Sequence, residues 1–259
     1  MQLAVASLAW QEIFARTKSF ASATFRERAG MVPGGTPHEA LSPPLRIAGD
    51  LTEEFLVPVD QIGLWNNVAD LAATIDVVGG ASFARLGQTG IVLVEPRVFR
   101  DNRGEFWETY HTEKFSQAGI GAQFVQDNHS ISVQHVLRGL HYQVSRPQGK
   151  LIRAIRGEVF DVAVDLRRSS ATFGKWFGTL LSAENRRMMY LPAGFAHGFC
   201  TSSLEAEVVY KCTDLYSPEH ERTLLWNDAT VGIPWPVSEP IVAEKDRRGQ
   251  TWEHAEFFE

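Results

Sequence analysis

Arg138, His141, Gln143 and Lys150 fall within residues 130–157, a β-rich stretch with almost no helical periodicity. His197 and Tyr210 fall in similar strand-like sequence further on. Polar groups at such spacing predict a polar pocket inside a sheet or barrel; the plainer alternative is a solvated strand face. If the groups converge, their chemistry is proton transfer. An imidazole accepts and returns protons near neutrality, which makes His141 the natural general base. Tyr210 is suited to donate a proton in the opposite step, and the Lys150 ammonium to stabilise a developing oxyanion.

Metal chemistry fits these residues less well. The run Pro192-Ala193-Gly194-Phe195-Ala196-His197 resembles the second cupin motif, where a turn aims a His into a barrel. A metal-binding cupin also carries His-x-His with a Glu close behind. Here the matching stretch is His141-Tyr142-Gln143, followed by Val144-Ser145-Arg146-Pro147-Gln148, with one His and no Glu. Lys150 adds positive charge where a divalent ion needs carboxylate, and two imidazoles fall short of a standard zinc site. No metal is expected. No nicotinamide or flavin motif is present either, so no cofactor is expected.

The elements that must position these groups are strands. Residues 91–94, 173–182 and 188–191 read as strands. Residues 95–108 turn at Asp101-Asn102 and return through Phe106-Trp107. Residues 112–119 read as a short helix closed by Gly119. Residues 150–166 alternate, with Phe160, Val162, Val164 and Leu166 on one face and Asp161, Ala163 and Asp165 on the other. Residues 205–213 alternate again, with Ala206, Val208, Tyr210 and Cys212 together. Many short strands and little helix predict an all-β sandwich or jelly-roll barrel. Asp161 and Asp165 are expected to make structural hydrogen bonds.

Residues 1–88 differ in texture. Residues 3–15 read as an amphipathic helix, residues 17–42 as loop or disorder, and residues 59–73 as a helix ending before Gly79-Gly80. The segment is expected to be a partly helical or disordered extension of unknown role: a small packing domain, a remnant of a fused partner, or translation from an over-long gene start.

Composition sets outer bounds. The chain has 259 residues, is 44% hydrophobic and carries a formal net charge of −6. That is enough apolar sequence for a sizeable core, and the charge argues against nucleic-acid binding, which needs a clustered basic surface. The two cysteines, Cys200 and Cys212, fit free thiols in a reducing compartment, the cytoplasm. No apolar run reaches the eighteen residues of a membrane helix.

From about residue 90 to 246 the chain resembles the dTDP-4-dehydrorhamnose 3,5-epimerase family, a metal-free branch of the cupins. The matching stretches, in family order, are FRDNRGEFWE, QDNHS, VLRGLHYQ, QGK, GEVFDVAVDLR, SSATFGKW, LSAEN, LPAGFAHGF, YKCTDLYSPEHE, GIPWP and EKD. The resemblance implies a cupin-type jelly roll over residues 89–259, with residues 1–88 outside it. It implies double epimerisation of dTDP-4-dehydro-6-deoxy-D-glucose at carbons 3 and 5 through an enolate, giving dTDP-4-dehydro-L-rhamnose. His141 would be the base, Asp246 its orienting carboxylate, Tyr210 the proton donor and Lys150 the enolate stabiliser. Arg138 and His197 would line the same pocket, with Gln126 and Asn128 as substrate contacts. Tyr216 would stack on thymine, and Glu221 and Lys245 would contact the nucleotide. Arg103 and Glu108 would reach the nucleotide of the partner subunit in a homodimer. Residues 142–149 look one residue shorter than in some members. Other readings stay open: a single-centre epimerase, a ketoisomerase on a related dTDP-sugar, or a non-catalytic sugar-binding cupin.

Overall fold

The computed structural model describes residues 55–58 and 72–259. The helix expected over residues 3–15 and the loop over 17–42 lie outside them. So does most of the helix expected over residues 59–73, although its last two positions belong to a strand. In chain order the strands are β1 (Phe55–Pro58), β2 (Ala72–Val78), β3 (Ala81–Leu86), β4 (Val92–Glu95), β5 (Val98–Asp101) and β6 (Gly104–Trp107). Helix α1 (Thr112–Gln117) follows, then β7 (Gln126–Val133), β8 (Val136–Gln143), β9 (Lys150–Arg156), β10 (Glu158–Asp165) and β11 (Trp176–Ser182). Last come β12 (Met188–Leu191), β13 (Phe195–Thr201), β14 (Glu205–Cys212), β15 (Glu221–Thr223), β16 (Ile241–Val242) and helix α2 (Glu244–Arg247).

The large sheet runs β1-β2-β3-β4-β12-β9-β14-β7. The smaller runs β11-β10-β13-β8-β15, with β16 added to β8 in parallel. β5 and β6 form a separate two-stranded hairpin. The two large layers share one core, in which Leu93, Ile152, Met189 and Val208 meet Val159, Ala163, Phe177 and Leu181. This is the expected jelly-roll sandwich. Alternation explains it, because every second residue of a strand faces the opposite layer. In β14, Ala206 and Val208 face the core as read, and Tyr210 packs against it.

β10 departs from simple alternation, because both of its faces are buried. Val159 and Ala163 point into the shared core. Phe160, Val162 and Val164 pack on the other side, under a layer that includes Val231, Trp235 and Ala255 from the C-terminal segment. Fully burying an apolar side chain of this size contributes roughly 1.5–3 kcal/mol. On the outer face of the large sheet, Phe115 of α1 meets Phe83 of β3 edge-on, with ring centroids 5.2 Å apart.

Strands β1, β2 and β3, all upstream of residue 88, join the large sheet. β3 pairs with β4 over Ser82–Arg85, and Phe83 and Leu86 are fully buried. The sandwich therefore begins upstream of residue 88. The physical reason is the Gly79-Gly80 pair, which joins β2 to β3 as a tight hairpin. Both glycines have positive φ, 59° and 84°, as a two-residue hairpin turn requires.

Candidate active site

A cavity of about 680 Å³ opens between the sheets, where β8 and β13 face β7, β9 and β14. Its formation begins with a close strand approach. A Cβ on Gly139 would fall 2.6 Å from the Gly198 Cα and 2.8 Å from the His197 carbonyl oxygen. Gly139 also has φ of 128°, a backbone conformation that disfavours other residues. Glycine thus lets β8 lie tightly on β13, and the register sets His141 opposite His197.

Each of these imidazoles is bound to a buried carboxylate. His141 Nε2 lies 2.6 Å from Asp246 Oδ1. The pairing of β16 with β8 delivers α2, and with it Asp246, beneath His141. The other Asp246 oxygen accepts the Gly139 N–H at 3.2 Å. Burial pushes the Asp246 pKa up, but the hydrogen bond and charge of His141 and the Gly139 N–H outweigh it. The net result lies below the ordinary carboxyl value, so this carboxylate stays charged. An ionised carboxylate only accepts hydrogen bonds, so Nε2 carries the hydrogen and the other ring nitrogen is free to take a proton. Across the strand pair, His197 Nε2 lies 3.0 Å from both oxygens of Asp161, and Asp161 is fully buried. Burial pushes His197 below the usual imidazole value, and Asp161 only partly opposes this.

Lys150 and Tyr210 come from the facing sheet. Lys150 begins β9, pairs with Cys212 and donates to the His141 carbonyl at 3.5 Å. Burial lowers its pKa, while Cys212, Asp161 and Glu221 pull it back upward. The Tyr210 ring centroid is 6.5 Å from that of His197. Burial raises the Tyr210 pKa, so the phenol keeps its proton at neutral pH. Arg138 reaches from β8 to β7, donating to Ser132 Oγ at 3.0 Å and to the Ile131 carbonyl at 3.2 Å.

The rim holds Gln126 and Asn128, expected as substrate contacts, and Tyr216, Glu221 and Lys245, expected at the nucleotide. Gln126 Nε2 donates to Asn128 Oδ1 at 3.1 Å, and Asn128 Nδ2 donates to Cys212 Sγ at 3.4 Å. The Tyr216 hydroxyl donates to Glu221 Oε2 at 3.0 Å, and Lys245 Nζ donates to Glu221 Oε1 at 3.1 Å. Burial works to raise the Glu221 pKa, but Lys245 and Tyr216 outweigh it and hold it low.

All the residues expected to be catalytic or to bind substrate line this one cavity except Arg103 and Glu108. Arg103 is exposed at the β5–β6 turn, where its guanidinium pairs with Asp101 at 2.6 Å. Glu108 pairs with Lys114 at 2.8 Å. Asp165 makes the structural bonds expected of it, to Arg167, Ser170 and Thr172. Asp161 also hydrogen-bonds, but to a side chain of the cavity wall. Its partner lies on another strand, and only the β10–β13 register joins them. Cys212, read only as a small buried group, supports Asn128 and sits beside Lys150. Its place on the Tyr210 face of β14 was the available signal.

A jelly-roll sandwich with an imidazole–carboxylate pair on one sheet, and a phenol and an ammonium on the other, defines an acid–base isomerase site on a cupin scaffold. Residues 86–254 match the dTDP-4-dehydrorhamnose 3,5-epimerase family. The chain belongs to that family. A dTDP-4-dehydrorhamnose 3,5-epimerase of Pseudomonas aeruginosa is 56% identical over 176 residues, covering 67% of this chain and 97% of the relative. The crystal structure of a Legionella pneumophila dTDP-6-deoxy-D-glucose-3,5-epimerase in complex with dTDP-4-keto-L-rhamnose has 42% identity and a TM-score of 0.65, covering 68% of this chain and 95% of that one. A dTDP-4-dehydrorhamnose 3-epimerase of Streptomyces niveus is 39% identical over 164 residues, covering 62% of this chain and 79% of the relative.

Proposed function

We infer that the chain is an isomerase that epimerises dTDP-4-dehydro-6-deoxy-D-glucose at carbons 3 and 5, giving dTDP-4-dehydro-L-rhamnose. The observation that carries this is His141, backed by Asp246, and Tyr210 projecting into one cavity from opposite sheets. Inversion needs a base on one side of a sugar ring and an acid on the other. The carbon-4 ketone acidifies the hydrogens on carbons 3 and 5. His141 takes one of them, and the bond electrons pass to the ketone oxygen as an enolate. Lys150 stabilises that oxygen, and Arg138 and His197 complete the polar wall. Tyr210 then protonates the carbon from the opposite face, and solvent restores both groups before the second centre reacts. Electrons return to the carbon in each cycle, so the reaction is redox-neutral and asks no metal or organic cofactor of these residues.

The nucleotide would lie along Gln126, Asn128, Tyr216, Glu221 and Lys245. We also propose a homodimer in which Arg103 and Glu108 reach the partner's nucleotide. The β5–β6 hairpin supports this reading: it stands apart from both sheets, and Phe106 on it is 70% exposed. The free, buried Cys200 and Cys212 fit a cytoplasmic enzyme. Among the described residues, no helix is long and apolar enough to cross a membrane.

The test is proton exchange followed by NMR, with the dTDP-sugar in deuterated water. Deuterium should enter at carbons 3 and 5, and His141→Ala should abolish both exchanges while dTDP still binds. Exchange at carbon 3 alone would make the chain a single-centre epimerase. No exchange, with dTDP still bound, would make it a binding protein.

A further inference from the structure

Two consecutive backbone N–H groups hold the Tyr216 segment, and each is bound by a side-chain amide from a different sheet. The Tyr216 N–H donates to Gln126 Oε1 of β7 at 2.8 Å. The Ser217 N–H donates to Gln143 Oε1 of β8 at 2.8 Å. Gln143 is only 4% exposed, and its amide nitrogen is occupied too. It donates to the Arg146 carbonyl at 2.8 Å and to the Leu215 carbonyl at 3.3 Å. One buried amide therefore ties the loop after β8 to the loop after β14. Breaking it would orphan buried polar groups, which costs more than the net worth of a hydrogen bond. Arg146 has φ of 56°, a conformation uncommon outside glycine, and its carbonyl is one that Gln143 holds. Its side chain pairs with Asp214 at 2.6 Å, and Gln148 Nε2 donates to the Asp214 carbonyl at 2.8 Å.

The Tyr216 ring has no comparable anchor. It is 50% exposed, and its hydroxyl contact is to Glu221 on the rim. Its position depends on the backbone that the two amides fix. Gln143 is also two residues from His141, so both side chains leave the same face of β8. One strand thus carries the base and the anchor of the rim loop.

We propose that Gln143 is a positioning residue for the nucleotide end of the substrate, fixing the Tyr216–Ser217 backbone so that the Tyr216 ring stands ready to stack on a nucleobase. This rests on the functional reading above, which assigns that end of the cavity to a nucleoside diphosphate. Without the anchor, the loop would have to be ordered on binding, and affinity would fall by that cost. The carbon-acid steps at His141 and Tyr210 would be largely untouched.

The test is calorimetric titration with dTDP, paired with steady-state kinetics on the dTDP-sugar, for wild type, Gln143→Leu, Tyr216→Ala and the double variant. Gln143→Leu should weaken dTDP binding and raise KM by about tenfold, with kcat changed less than about threefold. The double variant should bind dTDP no more weakly than Tyr216→Ala alone, because Gln143 acts through that ring. Additive losses would overturn the proposal, as would a fall in kcat with KM unchanged. Wild-type binding matched by Gln143→Leu would overturn it alone; a wild type that fails to bind dTDP would overturn the functional reading with it. If Gln143→Leu does not fold, Gln143→Glu serves: it keeps the acceptor for Ser217 and loses the donors to Arg146 and Leu215. It too should bind dTDP more weakly, and unchanged binding would overturn the proposal.

Discussion

Asp246 never needs to touch the sugar to matter, because its contact with His141 sets which ring nitrogen is basic and where it points. Asp246→Asn should lower kcat by about 10²–10⁴-fold, the usual range for general acid–base assistance, with KM little changed. Steady-state kinetics would check this, and a kcat near wild type would remove Asp246 from the proton path. Asp161 acts differently, through charge. Burial lowers the Lys150 pKa, and Asp161 is one of the groups, after Cys212, that partly oppose that fall. Asp161→Asn should let that pKa fall further, so the lysine loses its proton at lower pH. The basic limb of the kcat–pH profile should then move to lower pH; an unmoved limb would mean Asp161 is not the counter-charge of Lys150. The meeting of His141, Lys150, Tyr210 and Asp246 in one cavity was legible in the sequence because each lies in a compact stretch with family character. The linking roles of Asp161 and Gln143 were not. Both depend on partners from other strands or loops, and no local pattern encodes that register.

At the scale of elements, the strands from β4 to β14 were legible because alternation and turn residues agree there, whereas the short β15 and β16 carry no such pattern. β2 and β3 were not. The Gly79-Gly80 pair is as good a hairpin signal as a helix stop, and the preceding residues were read as helix. The consequence is measurable. A chain starting at residue 72 keeps both β2 and β3, with the buried Ile75 and Val78 and the Phe83 contact with Phe115, and should melt close to the full-length protein. A chain starting at residue 87 loses both and should be destabilised by several kcal/mol, since deleting one buried Phe side chain alone costs about 3–5. Thermal melts of the two would decide it. Equal melting temperatures would mean that β2 and β3 are dispensable, as the texture of the sequence first suggested.

For the whole molecule, shared sites make a sharp prediction. If Arg103 of one subunit serves its partner's cavity, Arg103→Ala and His141→Ala proteins should each be weakly active or inactive alone. Mixed after unfolding and refolding, they should regain activity, because one site of each heterodimer receives both intact residues. No regain, with heterodimers detected, would confine the site to one chain. The paired sheets were foreseeable, but the extra layer that closes the outer face of β10 was not, because the C-terminal segment has little periodicity. That layer bears on time as well as stability. With both faces covered and both edges paired, to β11 and β13, the β10 amides have no local route to solvent. They should exchange their hydrogens only when the whole sandwich opens, whereas the rim around Tyr216 should exchange in brief local openings. The enzyme would then have two clocks in one cavity: a floor near Asp161 renewed only at global unfolding, and a nucleotide rim that samples solvent many times between.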